Sequence, residues 1–261
     1  MELATVRYGV DGGIGRVVLN RPEQLNAISP ALLEDLGRVC DDVERNTAVR
    51  VVTLMGAGRA FCAGADLRAV RELSPDARKW SSFMQLWHRV FNRLEALPVP
   101  VIAGVHGFAL AGGLELVLVA DLVMADEAAR LGDQHATFGL VAGGGGSQRL
   151  PRLVGARRAK ELMLLGGWLG APQALEWGLI NRVAPAGRLE AGVEELAAAL
   201  ADKSGSANRT VKALVNRGLE LDLGQGLELE IELVADHMRS ADAAEGLRAF
   251  AEKRAPVFRS P

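Results

Sequence analysis

Glu115 stands three residues after Gly112 in the stretch FALAGGLEL (108–116). An apolar run, then glycines, then a leucine-rich run reads as strand, turn and helix, which puts Glu115 in the first helical turn. The helix dipole there favours an ionised carboxylate, and an ionised carboxylate suits a base that activates water. The plain structural alternative is an acidic residue placed there only because the dipole favours it. A second glycine-rich turn, FCAGADL (61–67), also follows a buried-strand pattern. Glycine lets the chain turn sharply and a ligand approach closely, and a turn entering a helix leaves backbone N–H groups unpaired. Two such turns side by side can aim two N–H groups at one developing oxyanion. Spacing alone does not show that they are adjacent.

The stretch RLGDQHATFGLVAGGGGSQRL (130–150) holds His135 two residues after Asp133. An imidazole, with a reference pKa of about 6.5, works as acid or base near neutrality. In an extended segment the two side chains share a face. Asp133 then orients His135 and favours its protonated form; alternatively Asp133 is the acid and His135 orients it. His88, His106 and His237 read as structural. Cys62 does too, because nothing near it in sequence lowers a thiol pKa. The cluster Arg149, Arg152, Arg157, Arg158 and Lys160 reads as a solvated face.

Around these groups the chain is organised as strands alternating with helices. Asp11-Gly12-Gly13 joins two alternating segments into a hairpin that ends at Pro22. A strand, not a helix, follows Gly15, which argues against a phosphate loop. Ser29-Pro30 opens a helix carrying Leu32, Leu33, Leu36 and Val39 on one face. VRVVTLMGA (49–57) reads as a buried strand. Residues 76–96 read as a long helix whose apolar face holds Trp80, Phe83, Met84, Trp87, Val90 and Phe91. VPVIAGVHGFALAGG (99–113) is another strand and turn, and LELVLVADLVMA (114–125) is expected to continue as helix. ARLGDQHATFGL (129–140) forms a third such unit. Beyond about residue 190 alanine, leucine and glutamate dominate and no strand is expected. The pattern is α/β and layered.

The chain has 261 residues, 49% of them hydrophobic, and a formal net charge of −2. That charge gives no reason to expect nucleic acid or an acidic membrane as partner. The two cysteines, Cys40 and Cys62, form neither a disulfide framework nor a metal-ligand pattern and suit a reducing cytosol. MELATVRYGVDGG is not a signal peptide. The most apolar run, 114–125, is interrupted by Glu115 and Asp121 and is too short to span a bilayer. A soluble, cytoplasmic protein is expected.

NRPEQLNAIS (20–29), GRAFCAGADLRAV (58–70), PVPVIAGVHGFALAGGLELVLVADLVMA (98–125), FGLVAGGGGSQRLPRLVG (138–155), ALEWGLINRVAP (174–185) and FAEKRAPVF (250–258) together resemble the crotonase superfamily, the enoyl-CoA hydratase/isomerase proteins. The resemblance covers essentially the whole chain in order. It implies an α/β fold, a spiral of ββα repeats over residues 1–195 holding an acyl-CoA site. A helical C-terminal subdomain, 196–261, would join subunits and cover CoA. It implies homotrimers, often paired as hexamers, with a CoA thioester as substrate and no cofactor or metal.

By motif, Ala65 and Gly112 match the two oxyanion-hole N–H donors. Ala27, Ala63, Ala65, Asp66, Leu67 and Arg68 match positions against CoA, and Phe250 and Lys253 match positions that reach CoA from a neighbouring subunit. The four glycines 143–146 match a turn into a helix near Gln148, and the aromatic helix face suits a bulky acyl group.

Glu115 matches the first of two hydratase glutamates. The second falls twenty residues later, at His135, and the prolines usual nearby are replaced by Gln134 and Ala142. The implied activity is hydration of a 2-enoyl-CoA, with Glu115 as base and His135, with or without Asp133, in place of the second acid. The altered position leaves two alternatives open. One is isomerisation, decarboxylation, dehalogenation or C–C hydrolysis of a CoA thioester. The other is an acyl-CoA-binding homologue that has lost half its catalytic pair.

Overall fold

The protein is described by a computed structural model covering residues 3–258. The outermost residues of the two expected segments, 1–2 and 259–261, lie outside it. The chain opens with β1 (Val6–Asp11), β2 (Ile14–Leu19) and α1 (Pro30–Arg45), then β3 (Val51–Gly56), α2 (Leu67–Leu73) and α3 (Ala77–Glu95). Next come β4 (Val101–Val105), β5 (Phe108–Leu110), α4 (Gly112–Val117), β6 (Leu122–Asp126) and β7 (Arg130–Gly132). There follow α5 (Gly146–Val154), α6 (Ala156–Leu165), β8 (Trp168–Gly170), α7 (Ala171–Glu176) and β9 (Arg182–Ala184). Four helices close the chain: α8 (Leu189–Ala201), α9 (Gly205–Gly218), α10 (Leu223–His237) and α11 (Ala241–Glu252).

The expected hairpin is β1–β2, paired antiparallel about Gly12-Gly13. Ser29 caps α1 as its sequence suggests, its side chain accepting from the Leu32 N–H. The strands form a six-stranded sheet in the order β1-β2-β3-β4-β6-β9, parallel after the first pair, and a three-stranded sheet, β5-β7-β8. The first repeat keeps both its strands, β1 and β2, in the large sheet; the central repeats give their first strand to the large sheet and their second to the small one. Thus β4 turns into β5 and β6 turns into β7, and β5 and β7 pair in parallel. Cys62, after β3, makes the same step as an isolated parallel bridge to Ala109. Stacking these two-strand turns produces the spiral of ββα repeats.

The helix expected over 114–125 is shorter than the sequence suggested. α4 ends at Val117, and Leu122–Asp126 is the strand β6, paired with β4. Asp121 ends the helical stretch because its carboxylate accepts from the Val101 N–H (2.7 Å), tying the turn to the start of β4. Val123 then bonds Asn181 Oδ1 at 2.8 Å. An apolar stretch without clear period is thus a short buried helix followed by a buried strand, a pair periodicity alone does not separate.

The main core lies between the sheets and the helices, with α1 and α3 packed on one another. A smaller core forms where Leu189, Val193 and Ala197 of α8 cover Ile14, Val51, Ile102 and Met124. The boundary expected at 195/196 lies inside α8. No helix among the described residues is long and apolar enough to cross a membrane.

Candidate active site

The two glycine turns lie against one another. Cys62 donates to Phe108 O and accepts from Leu110 N, both at 3.0 Å. This closes the first turn onto the second strand of the next repeat. Gly64 sits at φ +105°, and a Cβ there would stand 3.0 Å from Leu110 O and 3.1 Å from the Ala111 Cβ. Only glycine allows both that dihedral and that approach. Ala111, at the head of α4, takes φ +49° without being glycine and is held by an N–H bond to Gly132 O at 2.9 Å. Strain of this kind persists where the surroundings fix it. Among the described residues, neither the Ala65 N–H nor the Gly112 N–H donates to a protein acceptor. Both remain available to a ligand.

Glu115 is buried in the first turn of α4, 2% exposed. Its Oε1 accepts from Gly144 N at 2.7 Å and Gly146 N at 2.9 Å. Burial pushes its pKa up. The Gly146 bond, the His135 charge and the Gly144 bond oppose that rise without cancelling it, and the Asp133 charge adds to it. The glycine run 143–146 is the turn into α5, which begins at Gly146, two residues before the start expected near Gln148. It is also a cradle for a carboxylate. Sequence reasoning missed that second role, whose one signal was a run of side-chain-free residues able to bring N–H groups close to a buried acid.

His135 lies beside this cradle. Its Nδ1 is 2.9 Å from Asp133 Oδ1, and its backbone N–H donates to the same oxygen at 3.1 Å. The pairing expected from an extended segment is real, but its cause is different. His135 is in the right-handed helical region and heads a short 3-10 turn, so the Asp133 side chain folds back over a bend. Asp133 is 2% exposed and His135 half-buried. Burial lowers the imidazole pKa, but the Asp133 hydrogen bond and charge, with the Glu115 charge, outweigh it, and the net shift is upward. The structure therefore joins Glu115, His135 and Asp133 into one electrostatic unit.

The remaining sequence candidates divide. Asp66 caps α2 through Arg68 N (3.0 Å) and pairs with Arg21 (Nη2–Oδ2 2.7 Å). Arg21 also donates to Ala27 O, at 2.5 Å. Arg21 thus ties Ala27 to the 63–68 segment that holds Ala63, Ala65, Asp66, Leu67 and Arg68, with Leu67 60% exposed. Phe250 and Lys253 are both exposed, on and just after α11, which is tied to the chain through Asp242 and Ser204 (2.6 Å). No described hydrogen bond brings them to the 63–68 segment. Cys62 is fully buried, and burial pushes its thiol pKa up to about 12, which removes it as a nucleophile. His106 bonds Gly58 O at 3.0 Å, a structural contact. Among the described residues no group of three or more His, Cys, Asp or Glu side chains could hold a metal ion.

This architecture and these turns match a known family. A sequence model of the enoyl-CoA hydratase/isomerase family matches residues 9–261. YngF of Bacillus subtilis, whose name assigns it to enoyl-CoA hydratase/isomerase, is 42% identical over 93% of each chain. The short-chain-enoyl-CoA hydratase of Clostridium acetobutylicum is 36% identical over 97% of each chain. The crystal structure of an enoyl-CoA hydratase from Bacillus anthracis superposes with a TM-score of 0.94 at 36% identity, covering 99% of this chain and all of that one. The fold is that of the crotonases. The chain belongs to the crotonase superfamily, within its enoyl-CoA hydratase/isomerase family.

Proposed function

We propose that this protein is an enzyme that adds water to a 2-enoyl-CoA thioester. The observation that carries the reading is the cradled, buried Glu115 next to the Asp133–His135 pair, on a scaffold with two unpaired turn N–H groups. In this reading Glu115 takes a proton from water as its oxygen bonds to Cβ. The Cα=Cβ electrons move toward the thioester carbonyl, and the enolate oxygen is held by the Ala65 and Gly112 N–H groups. His135, protonated and oriented by Asp133, gives its proton to Cα. Glu115 then returns its proton to His135 through solvent, so the net change is one water added. Each preorganised N–H donor is worth about 3 kcal/mol in comparable sites. The Glu115 carboxylate and the His135 imidazolium stabilise one another electrostatically, and this is the protonation state the mechanism needs.

Ala27, Ala63, Asp66, Leu67 and Arg68 form the CoA rim, and Phe250 and Lys253 reach CoA from a second copy in a homotrimer or a dimer of trimers. Exposed Leu219, Leu223, Leu227 and Ile231 on and around α9 and α10 support such an assembly. No resident cofactor takes part, and the compartment is the cytoplasm. The test is loss of enoyl-thioester absorbance when purified protein meets crotonyl-CoA and longer 2-enoyl-CoAs. No turnover at any chain length overturns hydration. His135 also favours a second reading, another reaction of CoA thioesters on the same oxyanion hole. A substrate panel run with wild type and His135→Ala separates the two.

A further inference from the structure

The α3 helix carries an aromatic row, Trp80, Phe83, Trp87 and Phe91, with successive ring centroids 5.8, 5.5 and 5.5 Å apart. Three of these rings pack as ordinary core or rim. Trp87 is different. It is 3% exposed, and its Nε1–H is buried without a hydrogen-bond partner among the described residues. A buried indole N–H ordinarily finds an acceptor, and one left without costs free energy.

Two glycines locate that N–H. A Cβ added at Gly112 would meet Trp87 Cζ2 and Cη2 at 2.7 and 2.8 Å. A Cβ added at Gly144 would collide with both Trp87 Nε1 and Glu115 Oε2. The indole therefore spans the space between the head of α4 and the glycine cradle, and its N–H end and Glu115 Oε2 flank one point. Glu115 Oε1 is held by two backbone N–H groups, whereas Oε2 accepts from no described residue. One orphan donor and one free acceptor oxygen thus share a single buried spot.

We infer that Trp87 is a positioning residue for the base: its indole N–H serves Glu115 Oε2 across one bridging water and fixes the carboxylate plane. The backbone holds one oxygen from the α5 side and Trp87 serves the other from the α3 side. The charged groups whose fields reach Glu115 are His135 and Asp133. Neither donates a hydrogen bond to it.

The inference rests on Glu115 as the base proposed above, but its test reads the titration of Glu115 and not turnover, so the failure of either is visible without the other. The infrared C=O band of the Glu115 carboxylic acid is assigned by its loss in Glu115→Gln and followed against pH in wild type and Trp87→Phe. A hydrogen bond to a carboxylate favours the ionised form. Removing it is expected to move the midpoint up by about one pH unit or more. The acid limb of any kcat/KM profile moves the same way, and kcat falls more than KM rises. Incorporating 3-benzothienylalanine at position 87 keeps the ring shape, removes only the N–H and decides the matter if Trp87→Phe folds poorly. An unchanged midpoint in the benzothienyl protein overturns the inference.

Discussion

Asp133 grips His135 at two points through one oxygen. Oδ1 lies 2.9 Å from the imidazole Nδ1 and 3.1 Å from the backbone N of the same residue. A carboxylate oxygen only accepts, so the proton in this contact sits on Nδ1, and Nε2 takes no part in the pairing. The aspartate thereby sets the tautomer and direction of the ring as well as raising its pKa.

A bell-shaped pH profile follows. The proposed mechanism needs Glu115 ionised and His135 protonated, and the pKa of each is shifted upward. Rate should fall as pH drops through the Glu115 value and as it rises through the His135 value. Asp133→Asn removes the largest effect that raises the imidazole pKa, so the alkaline limb should move to lower pH; the Asp133 charge also raises the Glu115 pKa, so the acid limb should move down too, by less. His135→Ala should lower kcat by roughly 10²- to 10⁴-fold, the usual range for a lost general acid. Steady-state kinetics between pH 5 and 10 read all three; an alkaline limb that stays put in Asp133→Asn removes His135 as the acid.

The cradle makes a second prediction. In Gly144→Ala the new methyl collides with Glu115 Oε2 and with Trp87 Nε1. Both belong to packed side chains with little room to move, so the carboxylate is displaced. A displacement of about 1 Å from productive geometry can cost about 10²-fold in rate. Gly139→Ala is the control. Gly139 also lies in a loop after His135 and has a positive φ, but a Cβ there meets nothing within 4 Å. Its rate should stay close to wild type apart from modest backbone strain. Equal rates in the two variants would show that the cradle does not position Glu115.

Much of this was legible in the chain. The hairpin, the Ser29 cap, the long α3 helix, the strand–turn–helix units and the helical C-terminus all follow from local patterns, because each is fixed by neighbours a few residues away. The two glycine turns were visible as turns. Their adjacency was not, since it depends on Cys62 pairing with Ala109 across separate repeats. The stop at Val117 was hidden because Asp121 acts on Val101, twenty residues earlier. The Glu115 cradle and the placement of Trp87 share that cause. Each joins segments more than 20 residues apart, and no local period encodes it. Asp133 and His135 do meet, but across a bend at His135 and not along the extended segment from which their spacing implies a shared face.

Asn26 carries a third prediction, on stability. It is fully buried at φ +56°, a region asparagine tolerates better than most residues. Its Nδ2 donates to Ala57 O (2.9 Å) and Ala60 O (2.8 Å), and its Oδ1 accepts from Arg21 N (2.9 Å). These bonds clamp the loop before Ala27 to the end of β3, just ahead of the first glycine turn. Asn26→Ala leaves three backbone groups without that partner and should cost about 3 kcal/mol. For a chain this long that lowers Tm by roughly 10 °C. A change under about 2 °C would mean water or a rearranged loop replaces the clamp.

The fourth prediction concerns Lys212, whose buried Nζ reaches Asp121 Oδ2 at 2.7 Å and Val99 O at 3.0 Å, from α9 to the start of β4. Burial lowers the lysine pKa and raises the aspartate's, and their mutual attraction only partly offsets each shift. Lys212→Met strands Asp121 as a largely buried charge, and breaking such a pair from one side costs about 3–5 kcal/mol. Lys212→Met/Asp121→Asn should recover part of that loss, because asparagine is uncharged and its side-chain oxygen still accepts from Val101. The pH dependence has a definite sign. With Lys212 gone, the folded-state pKa of Asp121 lies still further above its unfolded value, so the folded protein binds the extra proton. Stability is then greatest below the unfolded pKa and is lost as pH rises toward the folded one. Denaturant titrations at pH 5 and pH 8 should show Lys212→Met less destabilised at the lower pH. A deficit independent of pH, or a double variant no better than the single one, would show that lost packing rather than the stranded charge sets the cost.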